Sequence, residues 1–175
     1  AFLAIEYNNV GTLAGLSLGT KALMAGFQSV VMRTAGFNSI DIGAMETSAL
    51  FVAIALMFVG ASPGSTGGGI KTTTVRILLI STKAALRGKE EVNVYQRQIP
   101  TARILKALSV VVASAISVVI ITTCLSVTDP GIPFIRILFE AVSAFATVGL
   151  STGITADLST MGQLLIIVTM YIGRV

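Results

Sequence analysis

The sequence predicts an all-α polytopic membrane protein, assembled from tandem units of membrane helix, short half-helix, extended strand and membrane helix. Three observations carry that prediction. Of 175 residues, 54% are hydrophobic and only 11% charged, against about 25% charged in a soluble domain; mean hydropathy is +0.89. The stretch Leu108–Val127 runs for about 20 residues without a charge, which at ~1.5 Å per residue crosses a ~30 Å hydrocarbon core. Finally, a short pattern, Thr-x-Gly-apolar-Asn/Ser, occurs twice at a fixed distance. Thr34 and Thr147, like Gly36 and Gly149, are 113 positions apart (147 − 34 and 149 − 36).

The elements follow in order. Ala1–Glu6 reads as the end of an opening helix. Lys21–Arg33 is helix-compatible with Thr20 as N-cap, and the first Thr-x-Gly pattern follows it. The apolar run Ile42–Ala61, with Glu46 near its start, reads as a helix that cannot continue through Ser62-Pro63-Gly64 and the three glycines 67–69. Helix is expected again over Thr72–Leu86. The break thus lies inside the membrane, or the second piece projects into water. Leu108–Val127 is the clearest span, and its serines and threonines suit close helix packing in lipid. Asp129-Pro130-Gly131 signals a helix start, and Pro133–Ala146 is a second short helix leading to the second Thr-x-Gly pattern. Met161–Gly173 opens a last apolar helix. The non-Met start and the apolar end suggest a piece of a larger membrane protein, with residues 1–87 forming one unit, 88–103 a connecting loop and 104–175 another unit.

Composition excludes several functions. Disorder needs low hydrophobicity and high charge. With no histidine, a His-ligated metal or a Ser-His-Asp triad is impossible. The single Cys124 cannot form an internal disulfide and reads as a small buried hydrophobe. The net charge of +4 could suggest nucleic acid. However, eight of the twelve basic residues (Lys71, Arg76, Lys83, Arg87, Lys89, Arg97, Arg103 and Lys106) bracket the 88–103 loop, opposed there only by Glu90 and Glu91. Such an excess marks a cytoplasmic loop between spans, which puts residues 34–41 and 129–134 outside, so both short helices enter from the external face. The Gly-rich stretch is not a phosphate loop either, because Ile70 separates Gly69 from Lys71 and no strand precedes it.

The repeat suggests a site made of backbone. Non-helical backbone at membrane depth is tolerated only where it is buried or lines a water-filled path. An extended Thr-x-Gly segment can aim its carbonyls at one axis, where they replace the hydration shell of a dehydrated cation. Helix C-termini pointing at that axis also favour cations. One copy alone would read as an ordinary turn; two copies in the same context reverse that.

Thr34-Ala35-Gly36-Phe37-Asn38, the stretch Gly60 to Thr72, Ala146-Thr147-Val148-Gly149 and Gly173-Arg174 together resemble the Trk/Ktr/HKT superfamily of potassium transporters, most closely its bacterial Ktr-type pore subunits. The resemblance covers nearly all of the chain and is most specific in the Gly-rich stretch. It implies a potassium-channel-like pore with four membrane–pore loop–membrane repeats, of which this chain carries the third and most of the fourth. Thr34, Ala35, Gly36, Phe37 and Asn38, with Ala146, Thr147, Val148, Gly149 and Leu150, would then form two quarters of a selectivity filter binding K+ through backbone carbonyls. Ser62–Ile70, including Pro63, Gly64, Gly67, Gly68 and Gly69, would form a gating loop. Arg174 would face that loop as a barrier or else snorkel to the interface; Lys71 is a gate residue or the inner anchor of its helix. Further implications are K+ as the transported ion, Na+ as a possible coupling or activating ion, no covalent cofactor, a homodimer, a cytosolic nucleotide-binding regulatory ring and residence in the plasma membrane. Transport of this kind is not enzymatic catalysis. Arg33, Glu140, Asp41 and Glu46 are expected to pair or to draw cations to the mouth. The alternatives are a broken-helix secondary transporter holding an anion on the Gly-rich loop and a non-transporting scaffold; neither needs two external half-helices.

Overall fold

A computed structural model describes residues 1–65, 67–88, 93–94 and 97–174. Thr66 of the expected gating stretch, and Lys89, Glu90 and Glu91 of the expected cytoplasmic loop, lie outside the described residues. Among the described residues seven α-helices dominate: α1 (Phe2–Ile5), α2 (Leu18–Val31), α3 (Thr47–Phe58), α4 (Thr72–Leu86), α5 (Thr101–Thr128), α6 (Phe134–Phe145) and α7 (Thr160–Arg174). Between α4 and α5 two short strands, β1 (Asn93–Val94) and β2 (Arg97–Gln98), pair antiparallel.

Three helix starts differ from the sequence reading. α3 begins at Thr47 rather than Ile42, because Ile42–Ala44 closes as a separate 3₁₀ turn capped by Asp41. The N-cap of α2 is Ser17, whose hydroxyl oxygen accepts from the Thr20 amide at 3.3 Å; Thr20 already lies inside the helix. At 28 residues, α5 is longer than the uncharged span, because Pro100 rather than the first uncharged residue sets its start. Residues 101–103 of the expected loop are therefore helical, and Arg103 and Lys106 ride on the first turns.

Among the described residues, α5 alone is both long and apolar enough to cross a bilayer. Ala107, Ser114, Val118, Ile121 and Leu125 line its inner face, while Leu108, Val112, Ile116, Val119 and Ile120 point outward. Large aliphatics on an outer face suit hydrocarbon rather than water. Four of its hydroxyls are satisfied locally, Ser109, Ser114, Ser117 and Thr123 each donating to the carbonyl one turn back at 2.8–3.0 Å, whereas the buried Thr122 hydroxyl has no partner among the described residues. Cys124 is exposed on this helix rather than buried. Burial is decided here by which face meets protein, and an apolar thiol is equally at home against lipid.

The core is organised around α6, which packs on α3, α5 and α7. Every residue from Phe139 to Phe145 is buried. Phe139, Val142 and Phe145 join a cluster with Ala49, Ala53 and Met57 of α3. On the other side, Ile137, Ala141 and Ala144 join Ile121 and Leu125 of α5 and Ile166 of α7.

The order of elements recurs. α2 and α6 each end in a Thr-x-Gly segment, each segment is followed by a 3₁₀ turn (Ile42–Ala44 and Ile154–Ala156), and then by α3 or α7. The starts of α3 and α7, Thr47 and Thr160, are again 113 positions apart (160 − 47).

The α5–α7 junction hangs on Asp129, just past α5. Its carboxylate accepts from the Ser159 amide at 2.8 Å, the Thr128 hydroxyl at 2.8 Å and the Ser159 hydroxyl at 3.1 Å. These bonds, the Ser159 amide first, hold its pKa below the ordinary carboxylate value. A lowered folded-state pKa gives stability that is present above the unfolded value of about 3.9 and is lost as pH falls through the folded value. Thermal melting of the detergent-solubilised full-length protein is therefore expected to weaken on acidification below pH ~4, and Asp129→Asn should flatten that dependence.

Candidate functional site

Three non-helical stretches meet beside the C-terminal end of α6. The first two are the Thr-x-Gly segments. Past α2, the amides of Ala35 and Gly36 both reach the Val31 carbonyl, at 3.1 and 3.4 Å. Past α6, the Ala146 amide reaches Val142 O at 2.8 Å and the Val148 amide reaches Ser143 O at 2.9 Å. Each helix end is thus closed by turn bonds before the chain leaves it.

Neither segment is a strand, contrary to the expected filter strands. Thr34 and Gly36 have φ of 66° and 72°, and Thr147 and Gly149 have φ of 54° and 85°; Ala35 and Val148 between them are not left-handed. A regular strand turns successive carbonyls to opposite sides. Reversing φ at every second residue instead turns neighbouring peptide planes the same way, which is the arrangement that lets several carbonyls face one axis. The left-handed region is costly for a β-branched residue, about 1–2 kcal/mol, and both threonines occupy it. Strain of this kind persists where the surroundings over-determine the conformation, as they do at functional sites.

The two segments face each other. A Cβ on Gly36 would collide with the Val148 carbonyl oxygen and lie 3.8 Å from Gly149 Cα. A Cβ on Gly149 would meet nothing within 4 Å, and a cavity of about 390 Å³ opens beside it, lined in part by Ser143, Thr147, Ser151 and Met170. The second segment is held from behind. Ser143 Oγ donates to the Leu150 carbonyl at 2.6 Å, so one of the carbonyls expected to face an ion is engaged by the protein. Glu140, 5% exposed, gathers the next turn. It accepts from the Ser151 hydroxyl at 2.5 Å, the Thr152 amide at 2.9 Å and the Thr155 hydroxyl at 3.1 Å. The first segment is more open, with Phe37 69% exposed. Its flank uses a neutral counterpart: Ser39 Oγ donates to Gln28 Oε1 at 3.4 Å, and Gln28 is fully buried.

The third stretch is the Gly-rich one. α3 stops at Phe58 and α4 starts at Thr72. Between them Val59 pairs with Ile70, and the Thr72 amide reaches Ala61 O at 3.3 Å, closing the excursion at its base. Residues 62–65, including Pro63 and Gly64, are exposed, whereas Gly68 and Ile70 are buried. The glycines allow contact with both threonines. A Cβ on Gly67 would lie 2.5 Å from Thr34 Oγ1, and one on Gly68 would lie 2.7 Å from Thr147 Oγ1 and 2.8 Å from Gly173 O. The Gly68 amide donates to Thr147 Oγ1 at 2.7 Å. Gly69, at φ 71°, passes against Ala146.

Lys71 turns its ammonium back onto the Gly67 carbonyl, with Ser65 O at 3.5 Å. The Gly68 amide and the Lys71 ammonium are therefore both engaged within the protein. Arg174, at the end of α7, lines a cavity of about 220 Å³ together with Gly67–Gly69, Lys71 and Ser114 of α5. α7 reaches this place because residue 173 is glycine: a Cβ there would collide with the Phe145 carbonyl.

Of the outer carboxylates, Asp41 and Glu6 accept from amides and hydroxyls, whereas the Glu46 side chain is exposed and makes no cap bond. Asp41 accepts from the Gly43 amide at 2.9 Å. Glu46 is the N-cap residue of α3, and its amide donates to Glu6 at 2.9 Å. Glu6, which sequence reasoning missed, is fully buried and also takes Asn9 and Thr12, both at 2.6 Å. The only signal for it was a lone acid closing the short opening helix, where it stands as the C-cap residue. Arg33 lies just past α2, exposed.

Two short helices, α2 and α6, thus deliver left-handed Thr-x-Gly segments to one point, beside the Gly-rich excursion that separates α3 from α4. Residues 2–175 match the model of the TrkH family, described as cation transport protein, and the chain belongs to that family. The family is one of cation transporters rather than of enzymes. Similar proteins include Ktr system potassium uptake protein B of Bacillus subtilis, 45% identical over 98% of this chain and 38% of that protein. The Vibrio alginolyticus protein of the same name is 40% identical over 99% of this chain and 38% of its own length. Potassium/sodium uptake protein NtpJ of Enterococcus hirae is 41% identical over 99% and 39%. This chain thus spans less than two-fifths of the length of these relatives. The crystal structure of the potassium transporter TrkH from Vibrio parahaemolyticus shares the fold, with a TM-score of 0.79 at 21% identity over 99% of this chain and 39% of that one.

Removing the Glu140 carboxylate should strand the Thr152 amide and the hydroxyls of Ser151, Thr152 and Thr155. Glu140→Ala is expected to destabilise the full-length protein by about 1–3 kcal/mol, read as a lower melting temperature in detergent, with Glu140→Gln losing less.

Proposed function

We propose that this chain forms part of a membrane pore that takes up K+, conducting the ion past backbone carbonyls of residues 34–38 and 146–150. The observation that carries this reading is the shared backbone of the two Thr-x-Gly segments, left-handed at Thr and Gly in both copies and facing each other across Gly36 and Val148. Backbone dipoles fixed in this way can replace a hydration shell without any titrating side chain. The names of the relatives agree: potassium uptake in the Ktr proteins and potassium/sodium uptake in NtpJ. A role for Na+ as coupling or activating ion belongs to the same reading.

In this proposal the intact protein has two further repeats that complete the ring of carbonyls, spans the plasma membrane several times with loop 88–103 in the cytoplasm, and works as a homodimer with a cytosolic nucleotide-binding ring. It is not an enzyme. The Gly-rich stretch is the gate. It sits against both threonines at the inner end of the carbonyl path, and Arg174 and Lys71 bring positive charge to the same place, a barrier to a permeating cation.

Two outcomes test this reading. Gly36→Ser should lower K+ over Na+ selectivity in full-length protein, because a side chain there meets the Val148 carbonyl and moves it; Gly149→Ser, strained at φ 85° with open space around it, should act more mildly. Unchanged ion ratios in flux assays would refute the filter assignment. Deleting 64–69, or Arg174→Ala, should raise K+ leak through reconstituted protein, and an unaltered closed-state flux would remove these residues from the gate.

A further inference from the structure

We infer that Thr147 couples the Gly-rich stretch to the ion path, its hydroxyl oxygen serving either the Gly68 amide or a cation, so that packing of residues 67–69 and cation occupancy at the threonine level oppose each other. The inference rests on the pore reading above and adds a linkage that the reading does not contain.

The geometry is specific. Thr147 Oγ1 accepts the Gly68 N–H at 2.7 Å across 79 positions of sequence. The positive end of that amide dipole is therefore aimed at the oxygen that a cation beneath the carbonyls of 147–149 would use. An oxygen can hold both, because it has two lone pairs, but the amide hydrogen and the cation then face each other at short range in a poorly screened site. Each weakens the other. The same stretch touches the second threonine, since Gly67 leaves no room for a side chain beside Thr34 Oγ1. Gly68 itself is buried, so an amide that left Thr147 without moving outward would lose its partner.

Residues 62–65 are exposed, and the excursion is pinned at its base by Val59–Ile70 and Ala61–Thr72. Lys71 is bonded to the Gly67 carbonyl and would follow it. Linkage is reciprocal: a cation that disfavours the packed stretch must bind more weakly while the stretch is packed. Thr147 is a positioning residue in this sense, holding the stretch in place through one hydrogen bond that the transported ion can challenge.

The test uses full-length protein in liposomes with Cys124→Ser, any other cysteines removed, and Ser65→Cys as reporter. The rate of labelling by a membrane-impermeant thiol reagent is compared in K+ and in N-methyl-D-glucamine, a cation too large for the path. Labelling should be about 5-fold or more faster in K+, the lower end for coupling between sites. Thr147→Val should label fast in both media, and Thr147→Ser should restore the K+ dependence, which a packing role for the threonine methyl would not. Equal labelling of the parent protein in the two media overturns the coupling, a result that stands even where Thr147→Val does not fold. Retained K+ dependence in Thr147→Val overturns it too. K+ flux is measured in the same vesicles: selective flux with cation-independent labelling sinks the coupling alone, whereas absence of K+ flux sinks the pore reading with it.

Discussion

Unwound backbone is expensive away from water, because each unpaired amide or carbonyl costs several kcal/mol in hydrocarbon. The chain leaves the helical path at 32–41, at 59–65 and 67–71, and at 146–153, and the architecture follows from having to satisfy those groups. The three stretches are gathered to one place and serve one another. The Gly68 amide finds Thr147, the Gly67 carbonyl finds Lys71, and the Leu150 carbonyl finds Ser143. Hydroxyls and a single ammonium do the work that a ladder does in a sheet. α6 is the most buried helix because it ends at this junction and must be sealed on every side.

Glycine makes the gathering possible at two positions in particular. At Gly68 a side chain would fill the space taken by Thr147 and Gly173; at Gly173 it would push α7 away from the end of α6. The close approach of α7 brings Arg174 to the cavity beside the Gly-rich stretch. A cation in the last turn of a helix is electrostatically at ease there, and this one is delivered to the same small space as Lys71. Lys71 is held by the Gly67 carbonyl, while Arg174 sits at the partly negative end of α7.

Much of this was legible in the amino-acid sequence, for identifiable reasons. Proline and consecutive glycines mark the gap between α3 and α4, since propensity there is decisive, and Thr72–Leu86 is both the expected and the observed range of α4; the apolar run Ile42–Ala61 overstates α3, which the 3₁₀ turn at Ile42–Ala44 delays to Thr47. The cap of α2 was misread because Gly19 looks like loop, yet Ser17 captures the Thr20 amide and carries Gly19 into the helix. The start of α5 was misread because charge was taken as a boundary, whereas Arg103 and Lys106 simply extend outward from its first turns. The Thr-x-Gly segments were visible as a repeat, but their conformation was not. Threonine rarely goes left-handed, and only the packing of three stretches imposes it. Glu140 was visible as a lone acid; its role was not, because its partners lie 11 to 15 residues ahead. The run Ser151-Thr152-Gly-Ile-Thr155, rich in hydroxyls just after the second repeat, is the signal that could have found it.

The left-handed threonines also bear on how the chain can change over generations. Few replacements are acceptable at Thr34 or Thr147: glycine relaxes the backbone but deletes the hydroxyl, serine keeps the hydroxyl but not the branch, and larger residues meet the Gly-rich stretch. Residues 62–65, exposed a few positions away, carry no such restriction. Tolerance to mutation is therefore distributed very unevenly over one short excursion of chain. Variation can accumulate at its tip and alter how readily it moves, while the residues at its root stay locked to the threonines they touch.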